Sequence, residues 1–252
     1  MKKRILLKIG TNTLTKETDH ISRGKIEDIG RQIASLKDEH EFIVVSSGAI
    51  AAAKQFVKLE HNGAEINVKQ ALAAIGQPHL MRMFQENFRE LGLFTSQCLL
   101  SYSDFENPAS KANIKNTIDV LVENNFIPII NENDTVATDE IKFGDNDKLA
   151  ALTAVLLKVD LLIIATNTDG IYTKESLKNN NPKTIASVSD ISQLTNEISI
   201  EKSSHGTGGM ASKIEASSIA KQHNIETWIV NGLKDNFIIN AIEKNSNYTK
   251  IN

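Results

Sequence analysis

Ile5-Leu6-Leu7-Lys8-Ile9, followed at once by Gly10-Thr11-Asn12-Thr13, is the stretch on which the fold turns. Five residues of strand length, apolar at every position but one, end in a turn of small, hydroxylated and amide residues. Working outward, apolar runs of similar length lie at Phe42–Val45, Phe94–Leu100, Ile127–Ile130, Leu161–Ala165 and Thr227–Val230. Most are continuously apolar rather than alternating. That pattern describes strands buried on both faces, as in a parallel sheet covered by helices.

The segments between these runs have helical period. Ile26, Ile29, Ile33 and Leu36 step by three, four and three residues, one face of an amphipathic helix with Ser22 as its N-cap. Further helical stretches are Ala49–Leu59, Val68–Leu91, Ser110–Glu123, Asn146–Lys158, Gly209–His223 and Asn236–Glu243. Strands alternating with helices give an α/β fold, a three-layer α/β/α sandwich with a mainly parallel central sheet. The polar stretch from Asn167 to about His205 reads as a functional flap within that domain, because the helix and strand after it are needed to complete the sheet. The polar tail Asn245–Asn252 is expected to fray.

Composition narrows the function classes. The chain has 252 residues, with 28 Lys+Arg against 31 Asp+Glu and a formal charge of −3. The basic residues are spread out, which argues against nonspecific nucleic-acid or membrane-surface binding. The basic start, Met1 to Arg4, resembles the head of a signal peptide, but Lys8 breaks the apolar run that follows. No apolar run approaches the roughly 18 residues a bilayer span requires. A single cysteine, Cys98, allows no intramolecular disulfide, fits a reducing compartment and reads as a core residue. A cytoplasmic protein is expected. The six histidines form no pair with metal-ligand spacing, so no zinc site is implied.

In an open parallel sheet, ligands bind beyond the carboxyl ends of the strands. There the sequence places Gly10-Thr11-Asn12-Thr13, Ser46-Ser47-Gly48-Ala49, Asn131-Glu132-Asn133-Asp134 and Thr166-Asn167-Thr168-Asp169. These residues suit a polar, anionic ligand. Gly48 and the run Gly206 to Gly209 each open a helix, where backbone N–H groups can approach phosphate or carboxylate oxygens; a tight turn or helix cap is the alternative. Lys8 is a charge inside an apolar strand, costing several kcal/mol unless it is paired or faces a cleft; a solvent-facing place on an edge strand would explain it equally. Lys213 stands one turn inside the helix opened by Gly208-Gly209. Asp145-Asn146-Asp147 precede the helix near Lys148, as a cap or as part of a site. Gly206 to Ala211 matches G-x-G-x-x-A, but no apolar strand leads into it, which argues against a dinucleotide site.

Taken in order, five segments resemble the amino acid kinase family and, within it, the glutamate 5-kinase branch. They are Leu7 to Thr11, Ser46 to Ala51, Ile129 to Asp134, Phe143 to Asp147, and Gly206-Thr207-Gly208-Gly209-Met210-Ala211-Ser212-Lys213. The resemblance covers residues 3–245. It implies transfer of the ATP γ-phosphate to the side-chain carboxylate of L-glutamate, giving γ-glutamyl phosphate, the first step of proline synthesis. Acetylglutamate, aspartate, carbamate or UMP as acceptor is the alternative within the family, and a non-catalytic nucleotide- or amino-acid-binding regulator is the alternative outside it.

The same resemblance assigns roles. Lys8, Lys213 and Asp147 form the catalytic set, the lysines on the transferred phosphoryl group and Asp147 holding them and helping to position Mg²⁺ with the ATP phosphates. Ser47, Asp134 and Asn146 match glutamate-binding positions, and Asp134 would pair with the α-ammonium. Lys8, Gly10, Thr166, Asn167 and the stretch Thr207, Gly208, Gly209, Met210, Ala211, Ser212, Lys213 match ATP-binding positions. Residues 1–150 would mainly serve the acceptor and 151–252 the nucleotide. Relatives commonly carry Asp where this chain has Asn167, and many continue into a C-terminal PUA domain for which 252 residues leave no room. Proline as a feedback inhibitor, handover of product to glutamate-5-semialdehyde dehydrogenase, and a homo-oligomer complete the expectations. The oligomer would use the helix Val68–Leu91 with Met81, Met83, Phe84 and Phe88, unless those residues serve the monomer's own core.

Overall fold

A computed structural model of the chain describes residues 2–59, 65–137, 146–196 and 209–252. Strand β1 (Lys3–Ile9) lies near the middle of one sheet, with β2 (His40–Ser46) on one side and β5 (Leu161–Thr166) on the other, both parallel to it. Beyond β2 come β4 (Phe126–Glu132) and the edge strand β3 (Phe94–Leu100). Beyond β5 come β7 (Glu226–Asn231), β8 (Thr249–Ile251) and β6 (Ser187–Val188). The order is β3-β4-β2-β1-β5-β7-β8-β6, and β8 runs antiparallel to β7.

Alternation along the central strands builds two cores. Ile5, Leu7 and Ile9 of β1, with Phe42, Val44, Ile163 and Ala165, face one layer. That layer contains α1 (Thr11–Thr15), α2 (Arg23–Leu36), α3 (Ala49–Lys54), α4 (Ile66–Glu90) and α9 (Phe237–Ile242). Leu6, with Ile43, Val45, Leu162 and Ile164, faces the other layer, which holds α5 (Pro108–Glu123), α6 (Asp147–Leu157) and α8 (Met210–Gln222). A further short helix, α7 (Lys174–Lys178), lies in the polar stretch. The three-layer sandwich is therefore as the sequence implies. The connection after β1 passes through α2 on the first face, while the one after β5 passes through α8 on the second. Neighbouring strands whose connections leave to opposite faces open a crevice at their carboxyl ends, so β1 and β5 mark the topological switch point.

Local chemistry explains the element ends. Ser22 caps α2, its side chain accepting from the Lys25 backbone N–H as the sequence suggested. Asn107 caps α5 ahead of Pro108 at the first helical position. Helix α4 continues through Pro78, which lacks the N–H that would reach back one turn. In α2 the sequence hides a buried charge: Lys25 is fully buried, paired with Asp28 at 3.0 Å and donating to the Lys234 carbonyl at 2.7 Å. Asp28 and Gln32 also accept from the backbone N–H groups of Asn236 and Ile238, tying α2 to the start of α9.

One expectation changes and two are refined. The tail does not fray, because Thr249–Ile251 pairs with β7 and Ile251 is buried; three residues are too few to show strand alternation in sequence. Met81, Met83, Phe84 and Phe88 of α4 pack in the chain's own core. Cys98 is half-buried on the edge strand, where burial pushes its thiol upward. No helix among the described residues is long and apolar enough to cross a membrane.

Candidate active site

The position of Lys8 follows from strand alternation. Its neighbours Leu7 and Ile9 face the first core, so Lys8 faces the second layer, level with the start of α6. Its Cα pairs in register with Val45 and Ile164, which makes β1 a central strand and removes the edge-strand alternative. Lys8 is 3% exposed. Its ammonium lies 2.5 Å from Asp147 Oδ1.

Asp147 is the first residue of α6 and is wholly buried. Its other oxygen, Oδ2, takes Lys213 Nζ at 3.0 Å and the Ser212 hydroxyl at 2.9 Å. Lys213 is 6% exposed and sits in the first turn of α8, whose N-cap is Gly209. One carboxylate thus holds two ammonium groups that arrive from opposite ends of the chain. Burying three charges costs several kcal/mol each unless they are paired. The net positive charge of the triad at the carboxyl edge of the sheet matches a polyanion.

A second set of polar groups is buried beside it. Asn146, at the N-cap of α6 and wholly buried, donates from Nδ2 to the Ser46 carbonyl at 3.2 Å, Ser47 Oγ at 3.1 Å and Asn131 Oδ1 at 2.7 Å. Asn131 in turn donates to Gln77 Oε1 at 2.8 Å, while its oxygen also accepts from the Glu132 backbone N–H at 2.9 Å. Two atoms of this row of amides, Asn146 Oδ1 and Gln77 Nε2, are buried without a hydrogen-bond partner among the described residues. A buried orphan of this kind costs about 1–3 kcal/mol, so a ligand or water that satisfied it would be held firmly.

Asp134 lies two residues beyond the end of β4 and is nearly buried. Gln70 of α4 fixes that loop by donating to the Asp134 carbonyl at 2.9 Å. Burial pushes the Asp134 carboxyl up to about 6. An ammonium partner would reverse that shift by favouring the charged form.

The glycines at the site have distinct uses. Gly48 has φ +108°, in the left-handed region that favours glycine, and it opens α3. A Cβ at Gly10 would lie 3.6 Å from Lys8 Nζ, so any longer side chain there would crowd the ammonium. On the other side of the switch point, Thr166 is nearly buried and its carbonyl accepts from the Gly232 N–H at 2.8 Å. Asn167 donates to Glu17 Oε1 at 3.0 Å. An aspartate in its place would set two carboxylates against each other, which gives the departure at 167 a local physical reason. Met210 packs partly buried beside Ile171 and Ile214, and Ala211 is exposed.

The structure therefore gathers Lys8, Gly10, Ser47, Asn146, Asp147, Ser212 and Lys213, with Thr166 at the end of β5 and Asp134 and Asn167 on the loops at the same carboxyl edge of the sheet. Thr207, Gly208 and the segment Phe143–Asp145 lie outside the described residues. Gln70, Gln77 and the linking role of Asn131 were not foreseen. Asn131 had one available signal, an amide directly after the apolar run Ile127–Ile130. Among the described residues no group of three acidic, histidine or cysteine side chains could hold a metal, and both oxygens of Asp147 already face ammonium groups. The described residues do not fit a resident metal site.

Comparison with known proteins agrees with this geometry. Residues 3–231 match the model of the amino acid kinase family. A glutamate 5-kinase of Alkaliphilus metalliredigens is 38% identical over 243 residues, covering 96% of this chain and 92% of that protein. A glutamate 5-kinase of Neisseria meningitidis serogroup C is 39% identical over 247 residues, covering 96% of this chain and 66% of that protein. Among solved structures, a UMP kinase from Ureaplasma parvum superposes with a TM-score of 0.65 at 18% identity, over 100% of this chain and 99% of the other. A carbamate kinase from Giardia lamblia bound to AMP-PNP superposes with a TM-score of 0.69 at 16% identity, over 99% and 98%. These two structures show the shared fold. With the motif order, the sheet topology and the matched span in agreement, the chain belongs to the amino acid kinase family, where its relatives in sequence are glutamate 5-kinases.

Proposed function

We propose that the chain transfers the γ-phosphoryl group of ATP to the γ-carboxylate of L-glutamate, forming γ-glutamyl phosphate and ADP as the first step of proline synthesis. The observation that carries this reading is the pair of buried lysines held on one carboxylate beside a buried amide chain. A glutamate carboxylate oxygen attacks the γ-phosphorus, a P–O bond forms, and the bond to the bridging oxygen of ADP breaks. No proton need be removed, because the attacking carboxylate is already ionised. The obstacle is repulsion between two anions and their alignment. Lys8 and Lys213 neutralise the transferred oxygens, Asp147 keeps both ammonium groups in place, and the backbone N–H groups of Gly10 and Gly48 add donors.

On the acceptor side, Asp134 pairs with the α-ammonium, for which Asn146 Oδ1 is a second acceptor, while the Ser47 hydroxyl donates to a carboxylate; with its Nδ2 engaged inside the protein, Asn146 does not orient the carboxylates. The nucleotide lies along Thr166, Asn167 and the stretch Thr207 to Lys213, so residues 1–150 mainly hold the acceptor and 151–252 the nucleotide. Mg²⁺ belongs to this reading as the companion of the ATP phosphates, which would carry most of its coordination. The proposal includes a homo-oligomer, proline as an inhibitor competing with glutamate, handover of the labile acyl phosphate to glutamate-5-semialdehyde dehydrogenase, and action in the cytoplasm. Met81, Met83, Phe84 and Phe88 of α4 do not serve the oligomer, since they are buried within the chain.

Asp134 provides the test of the acceptor assignment. With its carboxyl near 6 in the free protein, kcat/KM for glutamate falls as pH drops through that value, by about tenfold per pH unit well below it. Asp134→Asn lowers kcat/KM for glutamate on the order of 100-fold and removes that inflection, but has a small effect on an acetylated acceptor lacking the ammonium. Steady-state kinetics between pH 5 and 8 with both acceptors measures this. A flat profile, or equal losses for the two acceptors, would contradict the role of Asp134.

A further inference from the structure

We infer that Gln77 is a positioning residue of the acceptor site, anchoring the row of amides that presents Asn146 and Ser47 to the substrate. Direction matters because an amide side chain has one donating end and one accepting end. The Ser46 carbonyl can only accept, so Asn146 must turn Nδ2 toward it. The same nitrogen meets Asn131, which must therefore present Oδ1; the Glu132 N–H, which can only donate, demands the same oxygen. Asn131 is left with Nδ2 directed at Gln77, and Gln77 must answer with Oε1. Two backbone groups thus orient every amide in the row, and Gln77 anchors its far end as the acceptor of Asn131 Nδ2. Asn146 Oδ1 is left as an acceptor with no partner among the described residues, suited to a ligand ammonium.

Gln77 can do this because α4 is locked in place on either side of it. Next to it, Gly76 packs so closely on α3 that an added Cβ would come within 1.8 Å of the Ala49 carbonyl oxygen. Two turns earlier on the same face, Gln70 holds the Asp134 loop. One face of α4 thereby braces the turn after β2, the end of β4 and the Asp134 loop together. Gln77 itself needs no contact with glutamate.

The inference rests on the proposed reaction, and kinetics of wild type, Gln77→Leu and Gln77→Glu with glutamate and ATP tests it. Gln77→Leu removes the acceptor that Asn131 Nδ2 meets among the described residues, leaving that donor buried and unpaired, so the row that holds Asn146 loosens. KM for glutamate should rise about tenfold or more, equivalent to about 1.4 kcal/mol, with kcat and KM for ATP within about threefold. Gln77→Glu keeps an accepting oxygen and should return KM for glutamate to within about threefold of wild type. If the leucine variant does not fold, Gln77→Asn, which withdraws the oxygen by one methylene, carries the same expectation. An unmoved glutamate KM, a loss shared equally by ATP, or a glutamate variant as impaired as the leucine one overturns the inference alone. A wild-type protein that does not turn over glutamate overturns the proposed reaction and this inference with it.

Discussion

Lys213→Ala lowers kcat by about three orders of magnitude while weakening ATP binding only several-fold. Removing one preorganised donor from developing charge in a site closed to water commonly costs about 10²–10³ in rate, and here the donor carries a full charge. The ammonium is held at 3.0 Å from a wholly buried carboxylate, so it cannot swing away to solvent in the ground state. Its contribution is therefore available at the moment the phosphoryl group carries most charge on its equatorial oxygens. Lys8→Ala should behave likewise, and the double variant should lose less than the product of the two, because both lysines act on one group. Stability gives an independent check. Each single variant leaves Asp147 one ammonium, whereas Asp147→Ala strands two buried cations and should destabilise by about 3–5 kcal/mol. Single-turnover kinetics with calorimetric ATP binding separates these effects. A Lys213→Ala protein with near-normal kcat would remove the lysine pair from the chemistry.

The largest effect expected away from the charges is at Gly76. In Gly76→Ala the new methyl group would meet the Ala49 carbonyl oxygen at 1.8 Å and the Ala53 nitrogen at 2.7 Å. Both are backbone atoms of α3, so no rotamer change relieves the contact and the two helices must part. Overpacking of this kind costs about 3 kcal/mol, which for a chain of this size lowers Tm by about 6–12 °C. The consequence reaches the site, because α3 begins at Gly48 and Gln77 is the next residue of α4. Glutamate KM should rise along with the loss of stability. Thermal melts and glutamate titration of the purified variant test this, and a wild-type Tm would contradict the close crossing of α3 and α4.

Much of the architecture is legible in residue order, for identifiable reasons. Continuous apolar runs such as Leu161–Ala165 mark strands covered on both faces, and the 3-4-3 spacing of Ile26, Ile29, Ile33 and Leu36 marks α2. Strands β6 and β8, of two and three residues, carry no period long enough to read. At the site, Lys8 betrays itself because a charge inside an apolar strand requires an explanation, and Asp147 serves both as a first-turn acid of α6 and as the partner of two lysines. What sequence could not supply is direction. Gln70 and Gln77 read as ordinary helix residues, and their role depends on which end of each amide meets β4 and the loop after it. The burial of Lys25 is hidden for a similar reason: Asp28 stands one turn along the same helix, but the Lys234 carbonyl reaches the ammonium only through the packing of α2 against the start of α9.

The central claim, phosphorylation of a free amino acid on its side-chain carboxylate, is tested most directly by offering the protein ATP and a panel of acceptors with hydroxylamine present. Glutamate, acetylglutamate, aspartate, carbamate and UMP are compared by ADP release, with hydroxamate formation trapping any acyl phosphate. The account predicts glutamate hydroxamate at least about tenfold faster than any other acceptor product, in keeping with the discrimination a buried charged pair supplies. ADP release with another acceptor and none with glutamate, or no release with any, would contradict it.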